Sequence, residues 1–76
     1  MGKKTFKYDK ILCKKFGRNI TTQRKIMGIS QEELAFRANI SPSYMSAIER
    51  GITDTTLSTA KRLSKGLKTS LKELLP

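Results

Sequence analysis

The sequence predicts a small all-α protein, a single domain of five helices, and three observations carry that prediction. Apolar residues recur at helical spacing, helix-capping residues stand between the apolar segments, and no run alternates with the period of two that a half-buried strand requires. The 76 residues give room for one domain. A chain of that size buries only a modest share of its surface, so a partner subunit would add the stability that a small core lacks.

Residues 1–8 are polar and basic without a clear period and read as a flexible arm or a frayed helix start, ahead of a domain spanning 9–76. From Asp9 onward, Leu12, Phe16, Ile20 and Met27 mark one face of a first helix that ends near Gly28. Gly17 inside that helix costs about 1 kcal/mol relative to alanine, so it marks a close helix contact. Ser30-Gln31-Glu32-Glu33 fits a capping box, in which the serine accepts from a free amide at the helix start and the glutamate reaches back. Leu34, Ala35 and Ala38 line the inner face of this second helix. Asn39, which tolerates the left-handed conformation, supplies the turn.

Ser41-Pro42 opens a third helix with a capping hydroxyl and a proline whose missing amide is harmless at the first position. Met45 and Ile48 form its narrow apolar stripe and Gly51 closes it, leaving Ser43, Tyr44, Ser46, Ala47 and Arg50 on outer faces. Thr55 or Thr56 starts a fourth helix with Leu57, Ala60 and Leu63 inward and Gly66 near its end. Ser70-Leu71-Lys72-Glu73 repeats the capping box and begins a short fifth.

Sixteen Lys and Arg against six Asp and Glu give a net charge of +10, a field that attracts polyanions and makes nucleic acid the leading partner class. The charge sits at the two ends of the chain. Residues 26–60 hold only Arg37 and Arg50 against Glu32, Glu33, Glu49 and Asp54, so the middle reads as a folded device and the flanks as electrostatic clamps. The single cysteine, Cys13, allows no internal disulfide, and without histidine no zinc or iron–sulfur ligand set assembles, so no metal or cofactor is expected. No acid pair in a cleft-forming context and no glycine-rich phosphate loop is present, so no enzyme is expected and no small-molecule ligand is evident. No apolar run is long enough for a signal peptide or a membrane span, so the expected location is the cytoplasm. Basic and apolar residues do not segregate along one long helix, which speaks against a membrane-active peptide.

Two short helices joined by a tight turn and preceded by a longer one form a helix-turn-helix pattern. Ala35 is small where the two cross, and Leu34, Ala38, Ile40, Met45 and Ile48 pin the second helix against the first so that its outer face can enter a major groove. The runs Gly28-Ile29-Ser30-Gln31-Glu32-Glu33-Leu34-Ala35, Ile40 through Gly51, Thr56-Leu57 and Ser70 through Leu75 resemble the Cro/cI-type, or XRE-like, helix-turn-helix family over roughly residues 16–75. Within it, the stretch Tyr44-Met45-Ser46-Ala47-Ile48-Glu49-Arg50-Gly51 is similar to controller proteins of restriction-modification systems.

The resemblance implies a lambda-repressor-like DNA-binding domain with helices 2 and 3 as the helix-turn-helix, and a homodimeric transcriptional regulator of double-stranded DNA. By the same resemblance Gln31 would contact a phosphate and brace the recognition helix, and Arg24 and Glu49 would form an interhelical ion pair. Ser41, Pro42, Ser43, Tyr44, Ser46 and Ala47 fall where base and phosphate contacts are made, and Arg50 and Thr53 where backbone contacts follow. Leu67, Leu71, Leu74 and Leu75 exceed what so small a core absorbs and are expected partly in a dimer seam. Three positions depart from the family pattern. Gln23 stands where leucine is usual, Asn39 replaces the commoner turn glycine, and Pro42 stands where the controller proteins carry arginine, which removes a bidentate guanine reader. Specificity is therefore expected to lean on dimer spacing, DNA shape and the basic arm. The alternative function is an antitoxin, with the leucine-rich last helix as its protein-binding surface.

Overall fold

The computed structural model describes residues 9–76, so the basic arm expected over 1–8 lies outside the described residues. Five helices follow one another: α1 Lys10–Met27, α2 Gln31–Ala38, α3 Pro42–Arg50, α4 Leu57–Gly66 and α5 Leu71–Leu74. Each is started by a side-chain oxygen that takes a free backbone amide. Asp9 accepts from Leu12 N, Ser30 from Glu33 N, Ser41 from Tyr44 N, Thr56 from Thr59 N and Ser70 from Glu73 N, each cap being worth about 1 kcal/mol. The reciprocal half of the first capping box is absent: the Glu33 carboxylate takes Arg37 Nε at 2.9 Å, one turn along α2. Gly28, Asn39 and Gly51 end α1, α2 and α3 in the left-handed conformation, with Asn39 at φ 57° and ψ 48°.

The core draws on every helix. Ile20 of α1, Leu34 of α2, Met45 and Ile48 of α3, Leu63 of α4 and Leu74 of α5 are all at most 1% exposed. Around this cluster α1 packs on α3, α2 on both α3 and α4, and α5 closes the end between α1 and α4. Two cationic side chains, not singled out from the sequence, stitch the outer layer. Arg37 donates to the Gly66 carbonyl at 3.0 Å, and Arg62 of α4 donates to the Ala38 carbonyl at the end of α2 at 2.8 Å. Each satisfies a carbonyl that a helix end leaves without an intrahelical partner. Asn19 does the same for α5, donating to Leu74 O at 2.9 Å.

The structure corrects three expectations. Leu12 is 49% exposed, and the buried line of α1 runs instead through Cys13, Phe16, Gly17 and Ile20, because α3 and the loop after it lie about 100° further round. Leu57 is 75% exposed, since it is the first residue of α4 and the covered line of that helix begins only at Thr59 and Ala60. Leu67 and Leu74, expected in a dimer seam, are 4% and 0% exposed; both are core residues of this chain and present no surface to a second copy. Gly66 stands at the end of α4 as expected and lets that helix approach Leu34 and Arg37 of α2, and the left-handed residue that turns the chain after it is Lys68, at φ 54°.

Candidate nucleic-acid interface

The third helix is fixed from below by three contacts with α1. At Gly17 a Cβ would overlap the carbonyl oxygens of Ile48 and Glu49, so the backbones touch and no side chain fits between them. At Gly51 a Cβ would stand 2.6 Å from Lys14 Cα. The third contact is electrostatic. Arg24 Nε donates to Glu49 Oε2 at 2.6 Å and Arg24 Nη2 to Glu49 Oε1 at 3.0 Å, a bidentate pair with side chains 13% and 5% exposed. Arg24 Nη1 also donates to Ile29 O at 2.9 Å, so one guanidinium ties α1, the α1–α2 turn and α3.

Gln31 completes this bracket: its Nε2 donates to Glu49 Oε1 at 2.9 Å, joining the first residue of α2 to α3. The bracing expected of Gln31 is thus visible, and its amide nitrogen is engaged within the chain. Burial would push the Glu49 carboxyl up. Hydrogen bonds from Arg24 and Gln31, the Arg24 charge and Thr21 outweigh it and hold the group below the usual carboxylate range.

With its inner side held, α3 presents Ser43 and Arg50 as exposed and Ser46 and Ala47 as half-buried residues on the opposite side. Ser43, Ser46 and Arg50 carry no intramolecular side-chain hydrogen bond among the described residues. Ser41 and Pro42 are exposed at the start of the helix, where the Ser41 hydroxyl accepts from Tyr44 N. Tyr44 differs from its expected outward placement. Its ring is half-buried against the core and its hydroxyl donates to the Asp54 carbonyl at 3.2 Å, tying α3 to the following loop.

Asp54 was missed from the sequence, yet its carboxylate also accepts from the Cys13 thiol at 3.4 Å. Burial, that hydrogen bond and the nearby Asp54 and Asp9 charges push the thiol up, away from the reactive thiolate form. Thr53, half-buried, sits in the same loop. A second feature lies away from α3, where Leu12, Phe16, Leu57, Ala60, Leu71 and Leu75 line an open apolar groove of about 240 Å³. Leu71 and Leu75, both expected in a seam, are therefore brought together with Leu12 and Leu57, which were not expected there. Among the described residues no helix is long and apolar enough to cross a membrane.

A short helix braced by a buried ion pair, with a polar outer side left free, is the geometry of a helix-turn-helix. The family model described as Helix-turn-helix matches residues 20–74, and the chain belongs to that family of DNA-binding transcriptional regulators, in its Cro/cI-type, XRE-like form. Its relatives include control proteins. The control protein C.SmaI of Serratia marcescens is 39% identical over 57 residues, covering 75% of this chain and 68% of that protein. The control protein C.BamHI of Bacillus amyloliquefaciens is 40% identical over 47 residues, covering 62% of this chain and 58% of that protein. Among solved structures, the restriction-modification controller protein C.AhdI from Aeromonas hydrophila superposes with a TM-score of 0.81 at 33% identity, covering 83% of this chain and 96% of that one.

Proposed function

We propose that the chain is a cytoplasmic, non-enzymatic regulator that binds double-stranded DNA sequence-specifically, as a homodimer on an operator with two-fold symmetry. The observation that carries this reading is the division of labour on α3. Its inner edge is pinned by Gly17, Gly51 and the Arg24–Glu49–Gln31 bracket, while Ser43, Ser46, Ala47 and Arg50 face outward. Such a face reads base edges in a major groove, with hydroxyls as the readers and Arg50 and Thr53 on the flanking backbone.

The second copy is assigned to the apolar groove. Leu57 is 75% and Leu75 51% exposed at its rim, and burying such side chains is worth about 1.5–3 kcal/mol each. The similarity to the named control proteins supports the regulatory reading.

Selection from a random duplex library at near-physiological salt, followed by sequencing of the bound pool, tests it. The expected result is an inverted repeat whose half-sites lie about 34 Å apart, one turn of the duplex. A pool without sequence enrichment would overturn the reading, because a charge of +10 by itself binds any duplex in a salt-dependent way.

A further inference from the structure

On α1, Lys10, Lys14, Gly17, Thr21 and Arg24 follow one another at spacings of four, three, four and three, which is a single stripe along a helix. The structure shows which way that stripe faces. Arg24 reaches Glu49, Gly17 receives the carbonyls of Ile48 and Glu49, and the Lys14 backbone abuts Gly51. The stripe lies against α3 over that span, and its first two members continue past the point where α3 ends at Arg50. The bond from Cys13 to Asp54 places the loop after α3 against the same end of α1.

Lys10 and Lys14 are exposed and make no hydrogen bond or ion pair among the described residues. Lys14 thus lies beside Gly51, next in the chain to Arg50 and two residues before Thr53, with Lys10 one helical turn earlier on α1. Arg50 and Thr53 were expected there from the family pattern; Lys10 was expected, with the basic arm, to track a groove or phosphates, and Lys14 was not singled out.

We propose that Lys14 and Lys10 form a phosphate clamp, gripping the duplex backbone beside the last turn of α3. The proposal rests on the DNA-binding reading above and deepens it. A lysine is a compact point charge that neutralises a phosphate without reading a base, so the clamp positions the helix and adds affinity on every sequence. The stripe explains why the charge sits there: the Lys14 backbone and Cγ abut Gly51 at the end of α3, and the residue remains exposed. Lys15, the next residue, lies about 100° further round the helix and away from α3, so it contributes to the overall field alone.

The test compares K14Q, K10Q/K14Q and K15Q with the wild-type protein. A fluorescent random-sequence duplex two helical turns long serves as the probe, with binding measured from about 50 to 200 mM KCl. Removing one phosphate contact lowers the slope of log K against log salt by about 0.9. K14Q is expected to lose about that much per bound protomer and K10Q/K14Q more, with the thermal midpoint unchanged; K15Q is expected to keep the wild-type slope. Equal slopes for K14Q and K15Q would overturn the clamp, leaving only the general field. A lowered thermal midpoint with an unchanged slope would also overturn it, showing that Lys14 merely offsets the negative end of the α3 dipole. Failure of the underlying reading is distinguishable, since it shows as a pool without sequence enrichment in the duplex selection described above, whatever the slopes of the lysine variants on random duplex.

Discussion

Glu49 is where the smallest change has the widest reach. Its two oxygens accept from Arg24 twice and from Gln31 once, so one carboxylate joins α1, α2 and α3. Replacing it by glutamine leaves the Arg24 guanidinium buried without a counter-charge, and E49Q is expected to lower unfolding free energy by about 3 kcal/mol in denaturant titration. The same group sets an acid limit. Because its folded-state value lies below the unfolded one, its stabilisation is complete above the ordinary value of 4.5 and is lost as pH falls through the depressed folded value. The wild-type protein should therefore lose stability steeply below about pH 4.5, and E49Q should lose less over that window. Tyr44 shows a smaller effect of the same kind: Y44F removes only the bond to the Asp54 carbonyl and should cost about 1 kcal/mol, whereas Y44A also empties a half-buried place beside the core.

At the scale of the element, the helix ends are unevenly made. Three of the five helices close with Gly or Asn in the left-handed conformation, but after α4 the same conformation falls to Lys68, whose Cβ disfavours it. K68G is expected to raise the thermal midpoint, by about 1 kcal/mol of added stability, without affecting DNA binding. The difference also shows what the sequence made legible. The five starts were readable because a cap is local: Asp, Ser or Thr followed by a helical run carries its own reason. Gly66 was legible as a residue near the end of α4, but its close approach to Leu34 and Arg37 was not, because only the packed neighbours reveal it. Leu12 and Leu57 misled, since periodicity finds an apolar face without saying how far along the helix a neighbour covers it.

For the whole molecule, the groove proposed for assembly lies apart from the face proposed for reading, since its residues belong to α1, α4, the loop before α4 and the C-terminal segment from Leu71 to Leu75, and none to α3. L57K and L75K place charge at its exposed rim while leaving the fully buried core intact. Each is expected to dissociate the dimer in sedimentation with little change in the monomer's secondary structure, and to weaken operator binding far more than binding to random duplex. The bracket of the candidate site was legible from the sequence because Arg24, Gln31 and Glu49 carry a family pattern. The contributions of Asp54 and Lys14 were not, because they depend on where α1 lies against the end of α3, a relation between residues 41 and 37 positions apart that no local spacing reveals. The bracket has one more implication, for how such a chain diversifies. What holds α3 in place acts through Tyr44, Met45, Ile48, Glu49 and Gly51, while Ser43, Ser46 and Arg50 make no side-chain hydrogen bond among the described residues. On the DNA-reading role proposed for them, these outward letters can be rewritten one at a time on an unchanged frame, so that a population of such genes acquires new DNA addresses without passing through an unfolded ancestor.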